Sequence, residues 1–373
     1  MILKMKQKNM GIYVHIPFCF KKCAYCDFYS VTDYGKEKRY FDALCRNIEA
    51  SRAYYGKRTA DTLFIGGGTP SSVDPYNIKK VIDKLKECFR FTSDAEITIE
   101  ANPATLTEEK LRVYRECGIN RISMGVQSAV DSELYELSRI HSFEEARKSF
   151  MLCRNMGFDN INLDVMMGIP GQSEKSLRYT LDTLCELDPT HISVYMLSIE
   201  ENTPFGRMKD KLDLPDEDIV SDMYLFACDL LKKRGYCHYE ISNFAKENYA
   251  CRHNMKYWKR EDYVSFGTAA HSFVDHIGYS FKRDINKYVE CTDFSDVLDE
   301  VYPIDENEQT SDEIIFGLRM SSGVELEKIL SVCLFSKLEE YVKHGYAVIA
   351  DGRFILTDSG MLVSNSIISN ILT

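Results

Sequence analysis

The sequence predicts an α/β protein: an open, partial (β/α)6 barrel followed by a small C-terminal α+β module of winged-helix type. Three observations carry this expectation. A strand–helix alternation repeats six times between residue 11 and about residue 235. Glycine-rich and polar residues recur just past those strands, at the edge where parallel α/β folds place their chemistry. Beyond about residue 300 the alternation gives way to helical runs and then a hairpin pattern.

The strands are expected at 11–16, 62–66, 96–100, 121–126, 160–165 and 191–196, where β-branched and aromatic residues cluster. Amphipathic stretches at 36–56, 74–90, 107–117, 131–157, 173–187 and 216–235 supply the helices, several with a glycine stop such as Cys117-Gly118. Strands that alternate with helices imply a parallel sheet with right-handed crossovers. Three segments follow: a barrel over 1–235, an extension over 236–300 and a C-terminal module over 301–373. The acidic stretch Asp299 to Asp312 is expected to be a linker. Helices are expected at 311–320, 324–331 and 335–344, then a hairpin from Tyr346 to Leu356 turning at Asp351-Gly352. The mixed charges of Ser336 to His344 suit a protein contact better than DNA.

Composition narrows the class. With 45% hydrophobic and 28% charged residues over 373 positions, the chain reads as an ordinary globular protein. A net charge of −11 argues against a nucleic-acid partner. No apolar run approaches membrane-spanning length, and residues 1–8 lack the apolar core of a leader. Thirteen cysteines, an odd number, fit a reducing interior, so a cytoplasmic location is expected.

The first strand runs into Pro17 and then a loop holding Cys19, Cys23 and Cys26 in a C-x3-C-x2-C spacing. Three readings of that loop stand open. The thiols are buried core cysteines, or a zinc site completed by His15, or three ligands of a [4Fe–4S] cluster with one iron open. The second strand ends in Gly66-Gly67-Gly68-Thr69, which is neither a G-x-G-x-x-G nor a P-loop. Its backbone can approach a ligand closely. Glu100, at the end of the third strand, reads either as an acceptor for ribose hydroxyls or as a solvated edge charge.

Together these motifs resemble the radical S-adenosylmethionine enzymes, and more closely the oxygen-independent coproporphyrinogen III oxidase group. The matching stretches are Tyr13-Val-His-Ile-Pro-Phe-Cys19, Gly66-Gly-Gly-Thr-Pro-Ser71, Glu100-Ala-Asn-Pro103, Arg121 to Ser128 and Asn162 to Gln172. The resemblance spans nearly the whole chain. It implies a [4Fe–4S] cluster on Cys19, Cys23 and Cys26, with S-adenosylmethionine on the open iron. Gly67, Gly68 and Thr69 would hold its methionine end. Gln127, Arg139 and Asp164 fall at the intervals of that group's cofactor contacts, and Tyr13 and Tyr25 match its cofactor-contacting aromatics.

Two departures separate branches of the group. Phe28 stands where the oxidase carries a fourth cysteine, and Cys19 lies close to the start of the chain. Both point to the heme chaperone branch called HemW. The stretch Cys251-Arg-His253-Asn254-Met-Lys-Tyr257-Trp258 resembles that branch's H-N-x-x-Y-W heme motif, with His253 as the iron ligand. The implied cargo is heme and the implied partners are heme-accepting proteins; a homodimer and peripheral membrane contact stay open. His271 is a secondary candidate. The oxidase, an enzyme that removes propionate carboxyl groups, and a zinc-stabilised binding module are the alternatives.

Overall fold

The computed structural model describes residues 9–373; residues 1–8, read above as lacking a leader's apolar core, lie outside the described residues. All six expected strands are present: β1 (Met10–Ile16), β2 (Thr59–Gly67), β3 (Arg90–Ala101), β4 (Arg121–Gln127), β5 (Asn160–Met167) and β6 (His191–Met196). The extension adds β7 (Cys237–Glu240), β8 (Asn243–Ala245), β9 (Tyr263–Phe266), β10 (His271–Val274), β11 (Ile277–Phe281) and β12 (Leu298–Pro303). The C-terminal module contributes β13 (Val324–Glu325), β14 (Ala347–Ala350) and β15 (Arg353–Leu356).

Two compact units interleave these segments. One takes the chain up to residue 125 with 144–161 and 261–303; the other takes 126–143, 162–260 and 304–373. In the first unit the strand order is β12-β11-β10-β9-β1-β2-β3-β4. β9, β1, β2, β3 and β4 run parallel, and β10 to β12 close the edge antiparallel. β1 is central: Met10, Ile12, Val14 and Ile16 on one face are fully buried, and the other face carries buried His15 and half-buried Tyr13. The helix Glu37–Tyr55 buries Tyr40, Phe41, Leu44 and Ile48, and the Tyr40 hydroxyl donates to the His15 carbonyl at 2.8 Å. That bond anchors the strand just before the cysteine loop.

In the second unit β5 and β6 are parallel, and β8 and β7 follow antiparallel. The register sets Asn162 opposite His191 and Asp164 opposite Ser193. The C-terminal region has the helix–strand–helix–helix–hairpin order of a winged helix, with sheet order β13-β15-β14. Asp351 and Gly352 both adopt positive φ, 51° and 71°, as a type I′ hairpin turn requires.

Three expectations are corrected. The acidic stretch is not a linker: it forms β12 and most of the helix Glu306–Gly317. Asp305 and Glu308 make a reciprocal capping box there, which outweighs the local run of acids. The stretch 131–157 splits into helices Asp131–Glu136 and Phe143–Asn155, with Ser138 left-handed at φ 58°. Asp131 accepts the Phe143 N–H at 2.8 Å and so fixes the second start. Residues 324–325 pair as β13, and only Leu326–Leu330 is helical. No helix among the described residues is long and apolar enough to cross a membrane.

Asp305→Ala should remove the cap and cost about 1 kcal/mol of unfolding free energy. Urea unfolding checks this, and an unchanged midpoint would show that the Glu306–Gly317 helix does not depend on its cap.

Candidate functional site

In the first unit the site is built where β1 and β2 end together. Their register pairs His15 with Gly66 and Ile16 with Gly67. Past that point Gly68 N–H donates to the Ile16 carbonyl at 2.9 Å and Thr69 N–H to the Phe18 carbonyl at 2.7 Å. The cysteine loop is closed at its neck by Phe18 pairing with Val31, with Cys19 N–H on the Val31 carbonyl and Val31 N–H on that of Pro17. Arg283 holds the loop's far side by donating to the Asp27 carbonyl, and the Tyr29 hydroxyl accepts the Ile285 N–H.

Cys19, Cys23 and Cys26 are all half-buried on this loop. Burial pushes the Cys26 thiol up, and the neighbouring Cys23 and Cys19 add in the same direction. The Cys19 thiol lies 3.2 Å from the Thr69 hydroxyl and 3.0 Å from the Lys21 carbonyl. A closed loop holding three thiols, with a hydroxyl against one of them, fits a metal cluster of three protein ligands. Tyr25 is half-buried on the same loop, and Phe28 is 70% exposed.

His15 does not complete a zinc tetrahedron here. Its Nε2 lies 3.0 Å from the Tyr29 carbonyl, an acceptor only, so Nε2 carries the proton. Its Nδ1 therefore accepts from the Tyr13 hydroxyl, 3.1 Å away. Both ring nitrogens are engaged. Burial pushes this imidazole down to about 4. Tyr13 stacks on Phe64, and burial, then the Glu100 carboxylate, raises its phenol.

The glycine run is shaped first by its own surroundings. A Cβ on Gly67, at φ 123°, would stand 2.8 Å from the His15 ring; one on Gly68 would stand 2.7 Å from the Phe18 carbonyl. Gly67 N–H donates to Glu100 Oε2 at 3.0 Å, which fixes that half-buried carboxylate beside the loop. The amides of residues 67–69 are thus engaged within the protein.

The second unit holds the other expected residues. Gln127 ends β4, buried and left-handed at φ 72°, a conformation that only local packing sustains in a residue with a side chain. Arg139 is half-buried in the turn between the two short helices, and Asp164 is half-buried on β5. The loop after β5 folds around Gln172, whose amide oxygen accepts Gly168 N–H at 2.8 Å while its nitrogen donates to Glu133 at 3.0 Å. Glu133 is itself buried and bonded by Ser128 at 2.6 Å.

His253 lies on the helix Arg252–Trp258 and is fully buried. Its Nε2 is 2.8 Å from the Tyr257 hydroxyl, with the rings edge to face. Cys251, just before the helix, is fully buried too. Trp258 packs edge-on against Phe316, and Arg260 pairs with Asp312 at 2.6 Å. Beside Trp258 opens a cavity of about 230 Å³, lined in part by Lys259, Met320, Val324, Lys328 and Arg353. His271 sits exposed at the start of β10.

Comparison with known proteins places the chain. The Radical SAM superfamily model matches residues 13–184. Heme chaperone HemW of Bacillus subtilis (strain 168) is 33% identical over 368 residues, covering 95% of this chain and 97% of that protein. Heme chaperone HemW of Escherichia coli (strain K12) is 39% identical over 272 residues, 72% of this chain and 71% of that protein. The chain belongs to the HemW family. Its fold is the α/β one of radical SAM proteins, a partial barrel with a C-terminal module. The solved coproporphyrinogen III oxidase (HemN) of Escherichia coli, described as a radical SAM enzyme, superposes with a TM-score of 0.84 over 98% of this chain and 91% of that one. At 22% identity this likeness is one of fold.

Sequence reasoning missed the group that the second unit assembles around His191. This residue is fully buried and bonded to Asn162 at 2.6 Å and to the Tyr239 hydroxyl at 2.8 Å. The available signal was the pair Asn162-x-Asp164 and His191-x-Ser193, whose period of two puts each pair on one face of its strand.

The His15 geometry sets a pH dependence. The folded protein keeps this imidazole neutral down to about pH 4, whereas the unfolded chain protonates it near its ordinary value of 6.5. The stability this contributes is fully present above that value and is lost as pH falls toward 4, at up to about 1.4 kcal/mol per unit. His15→Gln removes the titration, so urea unfolding should show a shallower acid slope in the variant than in the wild type. Parallel slopes would exclude His15 as the source.

Proposed function

We propose that this protein is a heme chaperone: it binds heme and delivers it to acceptor proteins, and it carries a [4Fe–4S] cluster and S-adenosylmethionine. The observation that carries the reading is likeness over 97% of the Bacillus subtilis HemW length, together with His253, Asn254, Tyr257 and Trp258 on a single helix. The thirteen cysteines are all free, which supports a cytoplasmic setting.

The residues present suit the cluster. Cys19, Cys23 and Cys26 would hold it, and the engagement of both His15 nitrogens speaks against zinc. When bound, such a cluster supplies an electron and an open iron for S-adenosylmethionine. We assign cofactor contacts to Tyr13, Tyr25, Gly67, Gly68, Thr69, Glu100, Gln127, Arg139 and Asp164. Glu100 is aligned for ribose hydroxyls by the Gly67 amide, and Thr69 steadies Cys19 through its hydroxyl.

Heme is cargo in this reading, with His253 as the iron ligand. Ligation at Nε2 requires the Tyr257 hydroxyl to leave, so the resting imidazole is masked by its own helix. A neutral internal bond of this kind costs about 1 kcal/mol to exchange. That is small beside an iron–imidazole bond, and it favours release over permanent retention.

In anaerobically reconstituted protein the charge-transfer absorbance near about 400 nm should vanish in Cys19→Ala, Cys23→Ala and Cys26→Ala and persist in Cys291→Ala. A triple variant of the loop that still held four irons would sink the cluster assignment.

The wild type should bind heme yet form no protoporphyrinogen from coproporphyrinogen III when reductant and S-adenosylmethionine are supplied. His253→Ala should weaken heme or shift its Soret band with the cluster intact. Decarboxylation without heme binding would instead assign the chain to the oxidase branch.

A further inference from the structure

A line of hydrogen bonds runs through the second unit from Asp164 to the start of the helix that bears His253. Asn162 Nδ2 donates to Asp164 Oδ1 at 2.7 Å. Asn162 Oδ1 lies 2.6 Å from His191 Nδ1 and also accepts from the Ser193 hydroxyl at 3.0 Å. His191 Nε2 lies 2.8 Å from the Tyr239 hydroxyl, and that hydroxyl oxygen accepts the Cys251 N–H at 3.2 Å. Asn162, His191, Ser193 and Cys251 are each at most 2% exposed, and Tyr239 is buried with them.

With Asp164 ionised and His191 neutral, the chemistry of the groups sets the direction of each bond. An ionised Asp164 only accepts, so it must face the Asn162 amide nitrogen. The Asn162 oxygen then faces His191, which places the His191 proton on Nδ1. Nε2 is left as the acceptor, and the Tyr239 hydroxyl proton points at it. With its proton so committed, the Tyr239 oxygen presents lone pairs to the Cys251 amide. A change at Asp164 therefore has a defined path. Without that acceptor the Asn162 amide can turn, and the acceptor shared by His191 and Ser193 turns with it. Buried networks of this type respond as a unit because an unmatched group has no water to fall back on.

We propose that Asn162, His191 and Tyr239 form a relay that couples what binds at Asp164 to the first turn of the helix carrying His253. This deepens, and rests on, the reading of Asp164 as a cofactor contact and of His253 as the heme ligand. Asn162, His191 and Tyr239 are positioning residues, since the relay ends on a backbone amide and not on a cargo atom.

The test is a double-mutant cycle read by hydrogen exchange at the amides of residues 251–255 in the full chain. It requires no ligand. Asp164→Ala in the wild-type background should change protection there by about threefold or more. The same replacement in a Tyr239→Phe background should change it by less than about twofold, because the path is cut. His191→Leu cuts the path one step earlier and must give the same loss, which keeps the test decisive should Tyr239→Phe fail to fold. Equal effects of Asp164→Ala in all backgrounds, or none at residues 251–255, would overturn the relay. S-adenosylmethionine is then added to the reconstituted wild type. If the cycle is non-additive and the cofactor alters exchange at the same amides, the proposal stands with its functional meaning. If the cycle is non-additive but saturating cofactor leaves those amides unchanged, the relay is real and Asp164 is not the cofactor's contact.

Discussion

The candidate site of the first unit depends on one close approach, that of Gly67 to His15 at the common end of β1 and β2. A side chain at 67 would occupy the space of the imidazole ring. Because the position is bare, β2 runs on beside β1 until the Gly68 and Thr69 amides reach the Ile16 and Phe18 carbonyls. That continuation seats the neck of the cysteine loop against Thr69, and it sets the Gly67 amide against Glu100. His15 answers the same constraint from the other side: neutral, with both nitrogens bonded, it fills the space as a packing piece with polar edges satisfied. A chain of short-range contacts thus fixes the relative height of thiols, hydroxyl and carboxylate before any ligand arrives. Preorganisation of that kind is what lets a small loop hold a large inorganic group.

Much of this was legible in the sequence, and for a physical reason. Period and punctuation are local properties, so the six strands and the Asp351-Gly352 hairpin could be read from neighbours alone. The β1 pattern of buried residues and the stop at Pro17 located the thiol loop. What the sequence did not disclose were outcomes of competition between distant groups. Acidic composition suggested a linker where Asp305 and Glu308 in fact cap a helix. The glycine run suggested a backbone that a ligand can approach closely; that its amides are bonded to residues 16, 18 and 100 could not be read from the sequence. His15 looked like a metal ligand by spacing, and only the Tyr29 carbonyl and Tyr13 hydroxyl reveal why it is unsuited. The compact units were also hidden, because each gathers segments far apart in the chain.

The motif Met167-Gly168-Ile169-Pro170-Gly171-Gln172 shows how a recognisable signature can serve folding first. Gln172 satisfies two amides of the turn with its oxygen and ties that turn to buried Glu133 with its nitrogen. Glu133 is bonded in turn by Ser128, one residue beyond the left-handed Gln127. A strained Gln127 needs neighbours that over-determine its backbone. Ser128, whose hydroxyl is held by Glu133 and which also accepts the Val130 N–H, is such a neighbour. The loop after β5 and the end of β4 are therefore built as one piece. A residue placed in this way keeps its side chain aimed without support from a ligand.

The masked state of His253 follows from similar reasoning and bears on what a chaperone requires. An exposed histidine on a mobile surface would take up heme readily but would also bind other metals without discrimination. A histidine locked in the core could not take heme at all. Here the imidazole is buried, yet its Nε2 partner is a tyrosine four residues along the same short helix. Residues at that spacing share a helix face, so the pair can open by a change of side-chain rotamer and leave the backbone in place. Trp258, the next residue, is held by Phe316, and the cavity beside it lies open before any such change. That cavity mixes Trp258, Met320 and Val324 with Lys259, Lys328 and Arg353, while the proposed iron ligand stays closed by Tyr257. On the proposed assignment of His253, a porphyrin has Trp258 to pack on and must displace Tyr257 to reach Nε2, whereas a bare metal ion meets only the closed pair. On that assignment, one hydrogen bond within one turn of helix would favour a porphyrin over a free ion and ease its release.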